Sequence, residues 1–318
     1  MPTQDAMTMT RTMSRSPFCT TPLLLAVALL VITASAASTQ APFKTPDDAA
    51  TALAEAVRSG NQESMLKVLG RDGEDIVSSG DAVEDAAARQ RFLTAFDARH
   101  QVTLDGDKAT VILGPEDFPL PIPLVRKNGE WRFDTVAGRE EILFRRIGRN
   151  ELDAIQACLA YVDAQNDYAE KDRTGAGAGV YAQHFASRPG KKDGLYWRTS
   201  QGEEQSPLGA FVAEASSEGY RLGGERAPFH GYYFKILDRQ GPAAPGGELD
   251  YVVHGKMIGG FALIAYPADY GNSGVMTFVV NHAGTVYQKD LGAHTERIAQ
   301  HISAFNPDGT WKKAEPAQ

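Results

Sequence analysis

The stretch GREEILFRRIGRNELDAIQACLAYVDAQNDY, residues 138–168, decides the fold. In its second half Leu152, Ile155, Leu159 and Val162 recur at intervals of three and four, the spacing that lines one face of an α-helix. That face has to pack against something. Gly148 marks a break between a basic first part, with Arg139, Arg145, Arg146 and Arg149, and the amphipathic second part. The glycine-rich run Gly175–Gly179 ends the element and reads as a turn. A calcium loop needs acidic ligands at alternating positions, and only Asp172 stands near its start.

Downstream, strand character dominates at Tyr232–Leu237, Leu249–His254, Phe261–Tyr266, Val275–Val280 and Thr285–Lys289. These five form an antiparallel meander closed by a helix over Thr295–Phe305, which gives the long helix a sheet to lie on. Between helix and meander, Ser187–Pro228 is rich in Gly, Pro, Ser and charge. It reads as loops around a short helix over Pro207–Ser216, with Tyr196, Trp197 and Tyr220 covering the edge of a core.

Upstream, Thr45-Pro46-Asp47-Asp48 starts a helix: threonine caps, proline presets φ at the first position, and the aspartates face the positive end of the dipole. Ala50, Leu53, Ala54 and Val57 follow at helical spacing until Gly60. A second helix carries Met65, Leu66 and Leu69, and a third spans Val83–Arg99 with Ala87, Phe92 and Phe96 buried. The period then drops to two. Val102–Leu104 and Thr110–Ile112 flank Asp105-Gly106, while Ile122–Arg126 and Glu130–Phe133 flank Asn128-Gly129, both hairpin turns. The fold class is therefore α+β in two domains. Residues 43–135 hold helices on a curved antiparallel sheet, residues 138–311 a long helix on an antiparallel meander, and residues 312–318 a tail.

Residues 1–36 read as a signal peptide. Arg11 and Arg15 precede the apolar run Leu23–Ile32, which ends in Thr33-Ala34-Ser35-Ala36. The run is shorter than the ~20 residues a membrane-spanning helix needs, so no transmembrane helix is expected after cleavage near Ala37. Cys19 lies before the apolar run, where it cannot become a lipidated N-terminus. The expected location is the periplasm or the exterior. Removing Asp5, Arg11 and Arg15 takes the net charge from -8 to -9. An acidic chain with no Lys/Arg-dense stripe excludes nucleic acid as a partner. Cys158 is then the only cysteine in the mature chain, without an intramolecular partner, and is expected to be buried.

Three resemblances follow from these segments. AATALAEAVRSGNQESMLKVLG, VTLDGDKATVIL and PLVRKNGEWRFD, within residues 49–134, resemble the cone-shaped NTF2-like superfamily, which hosts enzymes, binding modules and scaffolds alike. NELDAIQACLAYVDAQNDYA with GYYFKIL, FALIAYPADYGNSGVMTFVV and AGTVYQKD is similar to the globular body of type IV pilin-like subunits. Arg145, Arg146 and Arg149 stand where a pilin has an apolar membrane segment, so that kinship concerns the fold alone. Over nearly the whole mature chain, FKTPDDAATAL, FHGYYFKIL and GGFALIAYPADYGNSGVMTFVVNHAGTVYQKDLG resemble a bacterial exported family known only as a domain of unknown function. That resemblance implies no activity.

Motifs for chemistry are sparse. There is no Gly-x-Ser-x-Gly elbow, His-Glu-x-x-His, phosphate loop or dinucleotide fingerprint. His294 and His301 share a helix face two turns apart, too far to hold one metal ion by themselves. Cys158 and His230 make a conceivable thiolate-imidazole dyad, but Cys158 sits among apolar neighbours on a helix, where a cysteine is structural. Glu140 and Glu141 are adjacent and point apart. Asp269, in the loop Pro267–Gly274, is the better acidic candidate. His230 and Asp269 are thus the candidate catalytic residues, with no cofactor and no metal expected. The leading reading is a non-catalytic envelope module that contacts another protein. The alternatives are a small-molecule binder in the cone of the first domain, and a hydrolase using His230 and Asp269. A cone filled by Phe92, Phe96, Trp131 and Phe133 would exclude the binder; a dry, acid-lined pocket would count against the protein-contact reading.

Overall fold

Thr45 opens helix α1 (Pro46–Ser59) with a reciprocal cap: its hydroxyl accepts from the Asp48 N–H at 3.1 Å, and the Asp48 carboxylate accepts from the Thr45 N–H at 3.2 Å. Gly60, at φ 66°, stops it. Asn61 caps α2 (Gln62–Leu69), and a 3₁₀ turn leads into the short α3 (Glu74–Val77). Helix α4 (Ala82–Ala98) is capped by Asp81. Strands β1 (His100–Asp105), β2 (Lys108–Leu113), β3 (Phe118–Pro119), β4 (Leu124–Lys127) and β5 (Glu130–Phe133) form an antiparallel sheet in the order β1-β2-β4-β5, with β3 on β2. Asn128 and Gly129 both take left-handed φ, 55° and 80°, as the two-residue hairpin turn requires. In α4 only Phe96 is buried; Ala87 and Phe92 are half-buried, so the helix packs less tightly than its spacing predicts.

The computed structural model describes residues 40–200, 202–221 and 227–314. The expected signal peptide lies outside them, as do residues 315–318 of the expected tail. The described residues belong to a single compact unit, Ser38–Gln318.

Helix α5 (Thr135–Glu170) has 36 residues, about 54 Å at 1.5 Å per residue. It is continuous through Gly148, so the expected break is absent. A helical glycine costs only about 1 kcal/mol relative to alanine, and packing at both ends of α5 offsets it. Its first part lies on the apolar cluster of the first sheet, through Ile142, and its second part on a separate cluster. The buried stripe runs through Ala154, Cys158, Tyr161, Gln165 and Tyr168. Ile155 and Val162 are buried beside it, Leu159 is half-buried, and Leu152 is exposed on its flank. Beyond α5, Asp172 accepts the N–H groups of Thr174, Gly175 and Ala176, which closes the glycine-rich turn.

After α6 (Gly209–Glu218) come β6 (Tyr232–Leu237), β7 (Arg239–Gln240), β8 (Leu249–Asp250), β9 (Val252–Val253), β10 (Lys256–Met257), β11 (Ala262–Pro267), β12 (Met276–Asn281) and β13 (Tyr287–Asp290). Helix α7 (Thr295–His301) and β14 (Lys312–Lys313) complete the chain. The second sheet is antiparallel in the order β14-β13-β12-β11-β6. The strand expected over Leu249–His254 does not join it. His254 and Gly255, both at positive φ, fold β9 back onto β10, and β8 pairs with β7. β6 instead pairs with β11 over six residues, and Lys312–Lys313 supply the fifth strand. All six residues of β11 are buried, which requires cover on both faces; α5 and α7 both pack against this strand. Helix α7 stops short of Phe305 because that buried residue exchanges backbone hydrogen bonds beside Gln240. The architecture is α+β with two antiparallel sheet regions and no barrel closure.

Candidate ligand-binding cavities

The first turn of α4 stands between two cavities. On one side is a cleft of about 580 Å³ under α6, walled by Phe211, Val212 and Ala215 of α6, Tyr233 and Phe234 of β6, Tyr161 of α5, and Phe185, Tyr196 and Phe229 from loops. Its rings brace one another: Phe211 and Phe229 have centroids 5.2 Å apart, Tyr220 and Phe229 4.8 Å, Tyr161 and Phe185 6.0 Å. The volume falls within the ~300–1,000 Å³ typical of small-molecule sites. The aromatic cluster expected as core cover is divided: Tyr196 and Tyr220 line the cleft, while Trp197 is buried beneath Arg173 and Lys192.

The polar end of this cleft is Asp81, only 2% exposed. One carboxylate oxygen accepts the N–H groups of Val83 and Glu84, capping α4. The other accepts the Tyr220 hydroxyl at 2.9 Å and the Gly231 N–H at 3.0 Å. The Tyr220 oxygen in turn accepts the His230 N–H at 3.2 Å. Burial, with Asp81 beside it, raises the phenol well above its ordinary range. Gly219, at φ 106°, ends α6 and turns the chain so that Tyr220 can reach across.

His230 sits just behind this network at φ 47°, a strained conformation for a side-chain-bearing residue. Its Nε2 lies 3.2 Å from Glu218 and its Nδ1 3.6 Å from Asp153. Burial raises the Asp153 carboxyl above its usual value, opposed by His230 and Arg149. Asp269 accepts from the Asn272 side-chain amide at 2.9 Å, and Ser273 closes its turn by bonding both to its N–H and to its carbonyl. His230 is thus half-buried beside two carboxylates, Asp269 is exposed with one carboxylate oxygen held by Asn272, and neither lines the cleft. Cys158 is fully buried, and burial pushes its thiol up to about 12. His230 is set instead beside Glu218 and Asp153. Glu140 and Glu141 are exposed on α5, Glu141 pairing with Arg145.

On the other side of α4 lies a cavity of about 470 Å³ inside the first half. Its walls are Leu53, Val57, Met65 and Leu69 from α1 and α2, Phe92 and Ala95 from α4, and Leu113 with Ile122 from the sheet side. Phe96, Trp131 and Phe133 are buried beside it without filling it. Its polar lining comes from α4 and from the basic first part of α5: Glu84, Asp85, Arg89, Arg91, Arg146 and Arg149.

Among the described residues, no three His, Cys, Asp or Glu side chains converge as a metal-ligand set. No described helix is long and apolar enough to cross a membrane. Sequence reading missed Asp81 and Arg146 as site residues. Asp81 carries the signal of a helix cap, and Arg146 was visible only as one of four arginines.

The fold and cavities define an α+β protein whose two sheet regions share one continuous helix and which keeps two internal cavities open. The family model described as Protein of unknown function (DUF2950) matches residues 40–314, and the chain belongs to that family. No curated protein and no solved structure matches the chain.

Proposed function

We propose that this chain is an exported envelope protein, working in the periplasm or outside the cell, that binds an apolar small molecule in the aromatic cleft without catalysis. The observation that carries this reading is the pairing of an aromatic wall with a polar end whose groups are all engaged. Asp81 accepts four hydrogen bonds and Tyr220 both donates and accepts, so they are committed to holding the fold. Such a cleft rewards apolar burial, at roughly 25 cal/mol per Å². Asp81 and Tyr220 are therefore not free to act as acid or base on a bound molecule. The helices-then-sheet layout of the first half and the helix-on-sheet layout of the second support an NTF2-like and a pilin-like kinship, in fold only.

Native mass spectrometry of the protein purified from its own envelope tests the reading. A bound small molecule released on denaturation is the expected result; a bare chain mass under gentle conditions speaks against it. Protein contact is a second reading, favoured by Phe144, which is 75% exposed on α5. A crosslinked envelope partner lost in Phe144→Asp would support it.

A further inference from the structure

We propose that the cavity of the first half is a second binding site, and that its ligand is an amphipathic anion: a carboxylate head on a single aliphatic chain. The proposal stands on observations independent of the aromatic cleft.

Arg146 is the first of these. The residue is only 9% exposed and lines the cavity, yet its guanidinium hydrogen bonds go to neutral oxygens: the Asp75 and Ile76 carbonyls and the Asn272 side chain. Among the described residues it makes no ion pair with a carboxylate, although Asp85, Glu84 and Asp269 lie close enough to favour its charge. A buried cation without a directly paired anion is costly, and an anionic ligand would supply the missing charge.

Helical spacing gives the second. Ile142, Arg146 and Arg149 stand at i, i+4 and i+7 on α5 and line the cavity together, an apolar step followed by two cations. From α4, Arg89 and Arg91 join them. Arg139 and Arg145, on the same basic stretch, pair instead with Asp75 and Glu141.

The charge balance is the third. Four arginines line the cavity against two carboxylates, and both carboxylates are in use. Asp85 holds the Ser79 N–H and hydroxyl, while Glu84 lies 2.7 Å from Arg91 and 3.8 Å from Arg149. Arg89 makes no ion pair among the described residues. The guanidinium fork suits a carboxylate, and the remaining walls are aliphatic or phenyl. The length of the cavity from this cationic rim to Leu53 and Met65 is the place for the aliphatic chain.

Calorimetric titration of the whole protein with decanoate and with decan-1-ol tests this. Decanoate is expected to bind once per chain and roughly tenfold or more tighter than the alcohol, the scale of one charge-assisted hydrogen bond. Arg89→Gln and Arg149→Gln, with the native melting transition checked for each, should each weaken decanoate severalfold and leave the alcohol unmoved. Ala88→Trp, which places an indole at the wall of this cavity, should abolish decanoate binding. Ala215→Trp, which fills the aromatic cleft, should leave decanoate binding intact. Equal affinity for the two probes, no binding of either, indifference to both arginine variants, or loss in Ala215→Trp would each overturn the proposal. The last result alone would leave the aromatic cleft standing as the chain's single ligand site.

Discussion

Asp81 and Tyr220, 139 residues apart, meet through a hydrogen bond of 2.9 Å that ties the start of α4 to the chain leaving α6. With the Gly231 N–H on the same oxygen, this one carboxylate joins the helical half to the first strand of the second sheet. A buried carboxylate is tolerated when its lone pairs are filled, and here all four hydrogen bonds are present.

Replacing Asp81 by alanine removes the α4 cap and strands the Tyr220 hydroxyl and the Gly231 N–H. The expected loss is about 2–5 kcal/mol, read as a lower urea midpoint. Tyr220→Phe keeps the cap and should cost about 1–2 kcal/mol. The double variant should be less than additive, because both changes break the same bond. Additive losses would mean that the Asp81-Tyr220 bond contributes nothing.

Cys158 should behave as an inert core residue. It is fully buried and its thiol is pushed up to about 12, so almost no thiolate exists at neutral pH. Iodoacetamide at pH 8 should leave it unmodified in the native protein and alkylate it in denaturant. Native labelling at a rate near that of a free thiol would contradict the burial and reopen a nucleophilic role.

Glu204 gives a test in acid. Hydrogen bonds from Lys192 and Lys171, with Arg173 nearby, hold its carboxyl at about 2 against an ordinary value of 4.5. A depressed carboxyl contributes stability that is present above 4.5 and is lost as the pH falls toward 2. Glu204→Gln should therefore be less stable than the native chain near neutrality, and the difference should vanish by about pH 2. A gap that persists unchanged at low pH would assign the effect to shape rather than charge.

Local signals carried much of this architecture. Thr45 caps α1 as its residue type marks, and Asn128-Gly129 turns a hairpin as such a pair does. The length of α5 and most of the second sheet were also legible, because both rest on periodicity. What was not legible depended on distant partners. Leu249–His254 has strand composition, but β11 is taken by β6, and the turn at His254-Gly255 folds the segment on itself. Leu152 keeps the helical spacing of a buried stripe yet is exposed, since the sheet meets the face centred on Cys158 and Tyr161. The cavities are products of long-range packing. Phe185, Phe211 and Phe229 reach one wall from three segments, and nothing local marks Arg146 as the arginine that turns inward.

The most direct test of the central claim is a fluorescence titration with N-phenyl-1-naphthylamine, a neutral apolar probe that brightens when shielded from water. The native chain should bind it saturably at one site, and Ala215→Trp, which places an indole in the aromatic cleft, should abolish the signal while keeping the native melting transition. Saturable binding that survives Ala215→Trp, or no binding by the native chain, would contradict the account.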